Sequence, residues 1–360
     1  MERRLGISIY PEKSTPQQDK DYITLAHKYG FSRIFTCLLS VQKPKDEIAA
    51  EFKDIIGHAR GLGFEVILDI APVIFDQLGI SYDDLSFFQE LGASGIRLDV
   101  GYDGNKEAMI SFNPYHQIIE INMSNDVAYL DNIMTYQPNV PYLYGCHNFY
   151  PQKGTGLPYE FFVNCSKRYK KYGLRTAAFI NSHSATIGPW DINDGLCTLE
   201  MHRDLPVDIA AKHLFATGLI DDVIIANAYA SEEELQALAH INRYQLCFDL
   251  VYEQQTSEIE HTICTKEQHS RRGDITELMV RSTEVRKKYK EYDFPVHDHM
   301  IQFQRGDVVI GNQEFGKYKG ELQIVLAPHS DARKNKVASI KEEERFLLDY
   351  IYPWSKFTFQ

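Results

Sequence analysis

Three short apolar runs carry acids near their ends. They read Ile67-Leu68-Asp69-Ile70, Ile96-Arg97-Leu98-Asp99-Val100 and Ile118-Ile119-Glu120-Ile121-Asn122. In an extended strand, side chains two apart share a face, so Arg97 points with Asp99 and Glu120 with Asn122. Charges on such strands are expensive to bury unless they are paired or used. If Asp99 and Glu120 end adjacent parallel strands, about 4.8 Å apart, the two carboxylates resist double ionisation and one keeps a proton near neutral pH. That is the equipment for cleaving a glycosidic bond: one acid protonates the leaving oxygen and one carboxylate works opposite it. Asp69 is a third carboxylate of similar depth, able to hold a substrate hydroxyl or tune the pair. The competing reading makes Arg97 a structural partner of Asp99 and leaves Glu120 to cap loop N–H groups.

His147 can join Asp69, Asp99 and Glu120 as a metal-ligand set, or it can be an ordinary satisfied histidine. No HExxH motif or tight histidine cluster favours the metal. The segment Cys146-His147-Asn148-Phe149-Tyr150-Pro151-Gln152-Lys153-Gly154-Thr155-Gly156-Leu157 follows a sixth run. Asn148 and Tyr150 share one face there. Beyond them Lys153, Thr155 and Gly156 can offer a charge, a hydroxyl and an exposed N–H to an anion. A seventh run ends at Asn181, followed by His183. The long loop after it holds Trp190, Thr198, Glu200, His202 and Arg203. Trp190 can stack on a sugar or pin the loop, and Glu200 is a reserve acid or a solvated carboxylate. Asn227, at the end of an eighth run, suits a hydroxyl. Further on, Arg272 and Arg281 flank a turn and can grip a phosphate by bidentate contact.

These residues need a scaffold, and the first two-thirds of the chain supplies a regular one. Runs at Leu5–Ile9, Arg33–Leu39, Glu65–Ile70, Gly95–Val100, Gln117–Met123, Leu143–Tyr150, Arg175–Asn181 and Asp222–Asn227 read as strands. Helix-like segments alternate with them, at Pro16–Tyr29, Asp46–Arg60, Tyr82–Leu91, Glu107–Ile110, Asp126–Tyr136, Tyr159–Tyr172, Pro206–Thr217 and from Ser231 to about 242. Thr15 and Ser231 are candidate caps. Eight strand–helix units in about 240 residues predict a closed (β/α)8 TIM barrel, whose site lies at the C-terminal strand ends. A doubly wound open sheet is the alternative, but no Gly-rich dinucleotide loop follows the first strand.

From Tyr244 the rhythm changes to short β-like runs, at Leu246–Tyr252, Glu258–Thr262, Ile275–Val280, Gly306–Ile310, Leu322–Leu326 and Ile351–Phe359. A short helix is expected at Lys341–Leu348. We therefore divide the chain into a barrel domain, 1–243, and a small β-rich domain, 244–360, expected to be a second barrel.

Thirty-eight Lys and Arg against fifty Asp and Glu give a net charge of −12, which disfavours a nucleic-acid partner. An anionic small molecule then needs a local basic corner. Arg97, Lys153, His183, Arg203, Arg272 and Arg281 form the available pool, with Arg97 already engaged by Asp99. No apolar run approaches the roughly 18 residues of a membrane span, and the apolar stretch near the start is too short for a signal peptide. Six cysteines without a CxxC read as buried free thiols.

Several stretches resemble one family. They are Gly6-Ile7-Ser8-Ile9-Tyr10-Pro11, Gly95-Ile96-Arg97-Leu98-Asp99, the 146–151 segment with Thr155-Gly156-Leu157, and Gly320-Glu321-Leu322-Gln323-Ile324. Together they are similar to the 6-phospho-N-acetylmuramidase family, with the 146–157 stretch the most specific part. The resemblance implies a barrel with a C-terminal cyclophilin-like β-barrel domain. It implies hydrolysis of the 6-phosphorylated N-acetylmuramyl–N-acetylglucosamine disaccharide in cell-wall recycling, in the cytoplasm and without a cofactor. The phosphate is expected to meet the sixth loop and the second domain. Two rivals stay open: a metal-dependent sugar-phosphate isomerase or epimerase on the same barrel, and a non-catalytic carbohydrate-binding protein. A homodimer is the default for a soluble enzyme.

Overall fold

The first residues of five strands meet as one ionic network, and this is where the fold is fastened. In the computed structural model, which describes residues 1–38, 44–70, 72–81, 83–125, 127–297 and 302–360, the chain forms two compact units, Met1–Ile241 and Asn242–Gln360. Leu39, Tyr82 and Asp126, taken above as element bounds, lie outside the described residues.

The first unit contains β1 (Arg4–Ile9), β2 (Arg33–Leu38), β3 (Glu65–Ile70), β4 (Gly95–Leu98), β5 (Ile118–Asn122), β6 (Leu143–Cys146), β7 (Arg175–Ile180) and β8 (Asp222–Ile225). All neighbours pair in parallel, and β8 returns to β1 through Arg4↔Asp222 to Ile7↔Ile225, closing the barrel. The connecting helices are α1 (Pro16–Lys28), α2 (Lys45–Gly61), α3 (Pro72–Leu78), α4 (Ser86–Leu91), α5 (Asn105–Ile110), α6 (Tyr129–Thr135), α7 (Tyr159–Lys171), α8 (Val207–Ala216) and α9 (Glu232–His240). Local chemistry sets their starts. Thr15 Oγ1 accepts from the Gln18 N–H while the Gln18 side chain accepts from the Thr15 N–H, a capping box ahead of Pro16. Ser231 and Glu234 repeat it at α9. Alternate strand residues such as Val66, Leu68, Ile96, Leu98, Ile119 and Ile121 join the apolar core.

The other alternate residues are polar at both barrel ends. At the N-terminal end, Asp222 accepts from Arg4 Nε and Nη2 at 2.9 and 2.7 Å, from Arg175 Nη1 at 2.5 Å and from Arg33 Nη1 at 3.5 Å. Glu65 Oε1 takes Arg4 Nη2 at 2.8 Å and Arg33 Nη1 at 3.0 Å. Arg33 and Asp222 are fully buried, so losing either would leave an opposite charge stranded, at a cost of about 3–5 kcal/mol.

The second unit corrects the expected cyclophilin-like barrel. It contains β9 (Leu246–Phe248), β10 (Leu250–Tyr252), β11 (His269–Ser270), β12 (Met279–Ser282), β13 (Asp307–Gly311), β14 (Leu322–Val325), β15 (Lys334–Ile340) and β16 (Lys356–Phe359). These form a five-stranded sheet in the order β10-β15-β13-β14-β12 and a three-stranded sheet β11-β16-β9. Neither sheet closes. Closure requires the two edge strands to pair, and among the described residues β10 and β12, three and four residues long, do not meet. The run Glu258–Thr262, expected as a strand, belongs to helix α10 (Glu258–Lys266). Ser257 and Glu260 form a capping box at its start. The expected helix after Lys341 is a 3-10 segment, Glu342–Tyr350.

Candidate active site

β3 and β4 pair in the register Asp69↔Arg97. Arg97 Nη1 donates to Asp69 Oδ1 at 3.0 Å and to Asp99 Oδ1 at 3.1 Å. The two carboxyl groups differ in setting: the Asp69 side chain is 18% exposed and that of Asp99 49%. Burial pushes the Asp69 carboxyl above the usual range. The Arg97 charge opposes this, and the nearby charges of Asp99 and Glu120 reinforce it.

Behind the pair stands a hydrogen-bonded support. Arg97 Nη2 donates to Asn148 Oδ1. The Asn148 N–H donates to Ser124 Oγ at 2.7 Å, and Ser124 Oγ lies 3.1 Å from His147 Nδ1. His147 Nε2 is 2.9 Å from Ser166 Oγ. His147 is fully buried, and burial lowers its pKa to about 3, so the ring is neutral and both nitrogens are engaged. It orients Ser124 and, through it, Asn148. Asn148 Nδ2 has no partner among the described residues. Asn122 Nδ2 stands 3.4 Å from Asp99 Oδ1, and a cleft of about 200 Å³ opens beside both, lined also by Tyr102, Asn125, Tyr129 and Tyr169.

Glu120 does not join Asp99. The register sets Glu120 opposite Arg97, so Asp99 stands level with Asn122, two residues further along. Glu120 is fully buried, and its Oε2 accepts from Arg33 Nη2, which ties it to the N-terminal ionic network. The carboxyl pair at the strand ends is therefore Asp69 and Asp99.

Loop six is held shut on itself. Glu200 accepts from the Gly154 N–H at 2.8 Å, the Gly156 N–H at 2.7 Å, and Arg203 Nε and Nη2 at 2.9 and 2.7 Å. The bonded Arg203 lowers the Glu200 pKa to about 2, with the two N–H donors adding to it. Gly154 has φ +83°, and a Cβ on Gly156 would lie 2.7 Å from the Glu200 nitrogen, so both glycines are required. Arg203 Nη1 also donates to the carbonyls of Tyr150 and Gly195, at 3.0 and 2.5 Å. The expected anion-facing Gly156 N–H and Arg203 are thus committed to structure, as is the reserve acid Glu200. Thr155 Oγ1 donates to Gln152 O at 2.6 Å. The exposed Lys153 ammonium has no partner among the described residues.

Three other candidates serve the backbone. Asn227 bridges Ser182 and Ala185 with both ends of its amide. Asn181 Oδ1 accepts from the Leu196 N–H at 2.9 Å, and His183 Nε2 lies 2.9 Å from Leu205 O. Trp190 is half exposed, its ring 5.8 Å from that of Phe149. In the second unit Arg272 pairs with Asp274 and Arg281 with Glu321. Among the described residues no three His, Cys, Asp or Glu converge as a metal-ligand set. No disulfide joins the cysteines among the described residues, and five of the six are buried. No helix among the described residues is long and apolar enough to cross a membrane.

Ser124 was missed at the sequence level. The alternation Glu120, Asn122 continues into it, and following that alternation one step past the strand end would have found it.

A carboxyl pair unequal in burial, at the open ends of adjacent strands in a closed parallel barrel, is the equipment of a glycoside hydrolase. Similarity to known proteins makes the class specific. Residues 5–240 match the family model described as 6-phospho-N-acetylmuramidase, N-terminal, and residues 246–360 match its C-terminal counterpart. The chain belongs to the 6-phospho-N-acetylmuramidase family and is a glycosidase of cell-wall recycling acting on a phosphorylated amino sugar. A crystal structure of an uncharacterized B. cereus protein is 61% identical over 100% of both chains, with a TM-score of 0.94. A conserved Enterococcus faecalis protein of unknown function is 26% identical, covering 99% of this chain and 96% of that one, with a TM-score of 0.73. No curated protein matches the chain.

Proposed function

We propose that this chain cleaves the 6-phospho-N-acetylmuramyl–N-acetylglucosamine bond with Asp69 and Asp99, and that it does so in the cytoplasm. The observation that carries the assignment is the shared Arg97 nitrogen. Two oxygens held at 3.0 and 3.1 Å from one atom lie within about 6 Å of each other, close enough to serve one anomeric centre. With the substrate's own acetamide as nucleophile, two successive displacements at C1 retain the anomeric configuration.

Asp69, its proton held by burial, is the acid. It passes that proton to the bridging oxygen as the C1–O bond breaks. The acetamide carbonyl oxygen of the muramyl ring closes on C1, and Asp99 accepts the acetamide N–H, with Asn122 beside it in the cleft. Water then attacks C1, giving its proton to Asp69 as the ring intermediate opens. Asn148 Nδ2 and the Lys153 ammonium are the donors left for substrate, the latter for phosphate.

The test is to incubate the purified protein with the phosphorylated disaccharide, with and without EDTA. The expected products, identified by mass, are N-acetylmuramic acid 6-phosphate and N-acetylglucosamine in both arms, with retention of the first-formed anomer by proton NMR. Full turnover by Asp69→Asn and Asp99→Asn would reject the assignment.

A further inference from the structure

The second unit carries an open pocket of about 320 Å³, large enough for a small ligand, whose lining includes Leu278, Met279, Arg281, Phe315, Glu321, Gln323 and Lys334. Its charges are unbalanced. Glu321 is fully buried and accepts from Arg281 Nε at 2.7 Å, Arg281 Nη2 at 3.2 Å, Arg286 Nη1 at 2.5 Å and Gln323 Nε2 at 3.0 Å. One carboxylate thus faces two guanidinium groups, and Arg281 Nη1 is left without a partner among the described residues. On another wall, Lys334 is 4% exposed. Its ammonium lies 3.7 Å from Asp331, whose oxygens are already taken by Arg333 at 2.8 and 3.0 Å. Also near it are His329 Nε2 at 3.4 Å, the Met279 sulfur at 3.9 Å and the Phe315 ring, whose centroid is 5.7 Å away. Burial lowers the Lys334 pKa, as expected of a cation short of acceptors. Buried polar groups in folded proteins are normally satisfied. Here a buried ammonium with poor partners and a spare guanidinium nitrogen border one cavity, and Gln323 Oε1 beside them is buried without a partner.

We propose that this cavity is a binding site for a small phosphate ester. The phosphate oxygens bridge Arg281 Nη1 and the Lys334 ammonium, and the organic part lies against Leu278, Met279 and Phe315. A dianionic tetrahedral group suits two cations on separate walls better than a flat monoanion does. The apolar lining explains why an ester, rather than bare phosphate, is the favoured occupant.

The experiment uses the full chain and two probes, inorganic phosphate and N-acetylglucosamine 6-phosphate, with acetate and unphosphorylated N-acetylglucosamine as controls. Hydrogen exchange read by mass spectrometry should show protection over 276–282, 315–325 and 334–340 with both phosphate probes, stronger with the ester. Titration calorimetry should show ester affinity falling about tenfold or more in Lys334→Met and in Arg281→Gln, the loss of one charge-assisted hydrogen bond each. Exchange on the unsubstituted chain reports even if a variant misfolds. No protection over those segments, unchanged affinity in both variants, or acetate acting as well as phosphate would overturn the proposal.

Discussion

Asp69 and Asp99 reach the same nitrogen of Arg97, at 3.0 and 3.1 Å, from neighbouring strands of the barrel. That single donor holds the two carboxyl groups together, while burial makes the Asp69 carboxyl hard to ionise against the pull of the Arg97 charge.

Replacing Asp69 by Asn should lower kcat on the natural disaccharide by about 100- to 10,000-fold, the usual contribution of a general acid. A nitrophenyl leaving group needs no proton, so the loss on a nitrophenyl 6-phosphoglycoside should be far smaller. Equal losses on the two substrates would show that Asp69 is not the proton donor.

The same variant should fold at least as well as the parent at pH 7 to 8. Asp69 has a raised pKa in the folded state, so the native structure loses stability as pH climbs from the unfolded carboxyl pKa through the folded one. Removing the carboxyl removes that penalty. Thermal unfolding across pH 4 to 8 checks it, and a variant much less stable than the parent at pH 8 would contradict it.

Arg97→Gln tests the coupling. The Arg97 charge holds the Asp69 pKa down, so its loss raises that pKa further. Activity depends on protonated Asp69 and declines as pH rises through its pKa, so the alkaline limb of the pH–kcat profile should move to higher pH. A limb that stays in place, or moves to lower pH, would dissociate Arg97 from the acid.

Glu120→Gln should separate scaffold from chemistry. It removes one of the three carboxylates around fully buried Arg33, which keeps Glu65 and Asp222, and should cost about 1–3 kcal/mol, several degrees in Tm. Turnover per folded molecule should stay near the parent's. A stable but inactive variant would return Glu120 to the active site.

Glu200→Gln addresses loop six. The Glu200 pKa is depressed to about 2, so its contribution is complete above the ordinary carboxyl range and fades as pH falls toward 2. The variant should raise KM several-fold at neutral pH with a smaller change in kcat, because Gln keeps a single acceptor oxygen and so frees one of the Gly154 and Gly156 N–H groups. A large kcat loss at unchanged KM would instead make Glu200 a participant in the reaction.

The barrel was legible because its strands alternate with helices that announce themselves, as Thr15 and Ser231 do. Asp69 stood out as a carboxylate of similar depth, and the shared face of Arg97 and Asp99 was legible from period-two spacing. The partner of Asp99 was not, since adjacency of strands does not fix register. One offset of two residues put Asn122 where Glu120 was expected. Glu200 and Arg203 looked like free polar groups because, beyond the pair they make with each other, their partners are backbone N–H and C=O groups, which leave no mark in composition. In the second unit, β15 begins Lys334-Asn335-Lys336, and its polar half hid the strand. The turn-rich pattern there suggested many short strands, but only pairing partners decide whether a sheet closes.

The ionic network at the strand starts bears on how the protein is made. Asp222, on the last barrel strand, is the common acceptor for Arg4, Arg33 and Arg175. A nascent chain emerging from the ribosome holds those three cations long before their shared anion exists. Fragments cut short of residue 222 lack both the closing strand and this shared anion, and should therefore be poor folders.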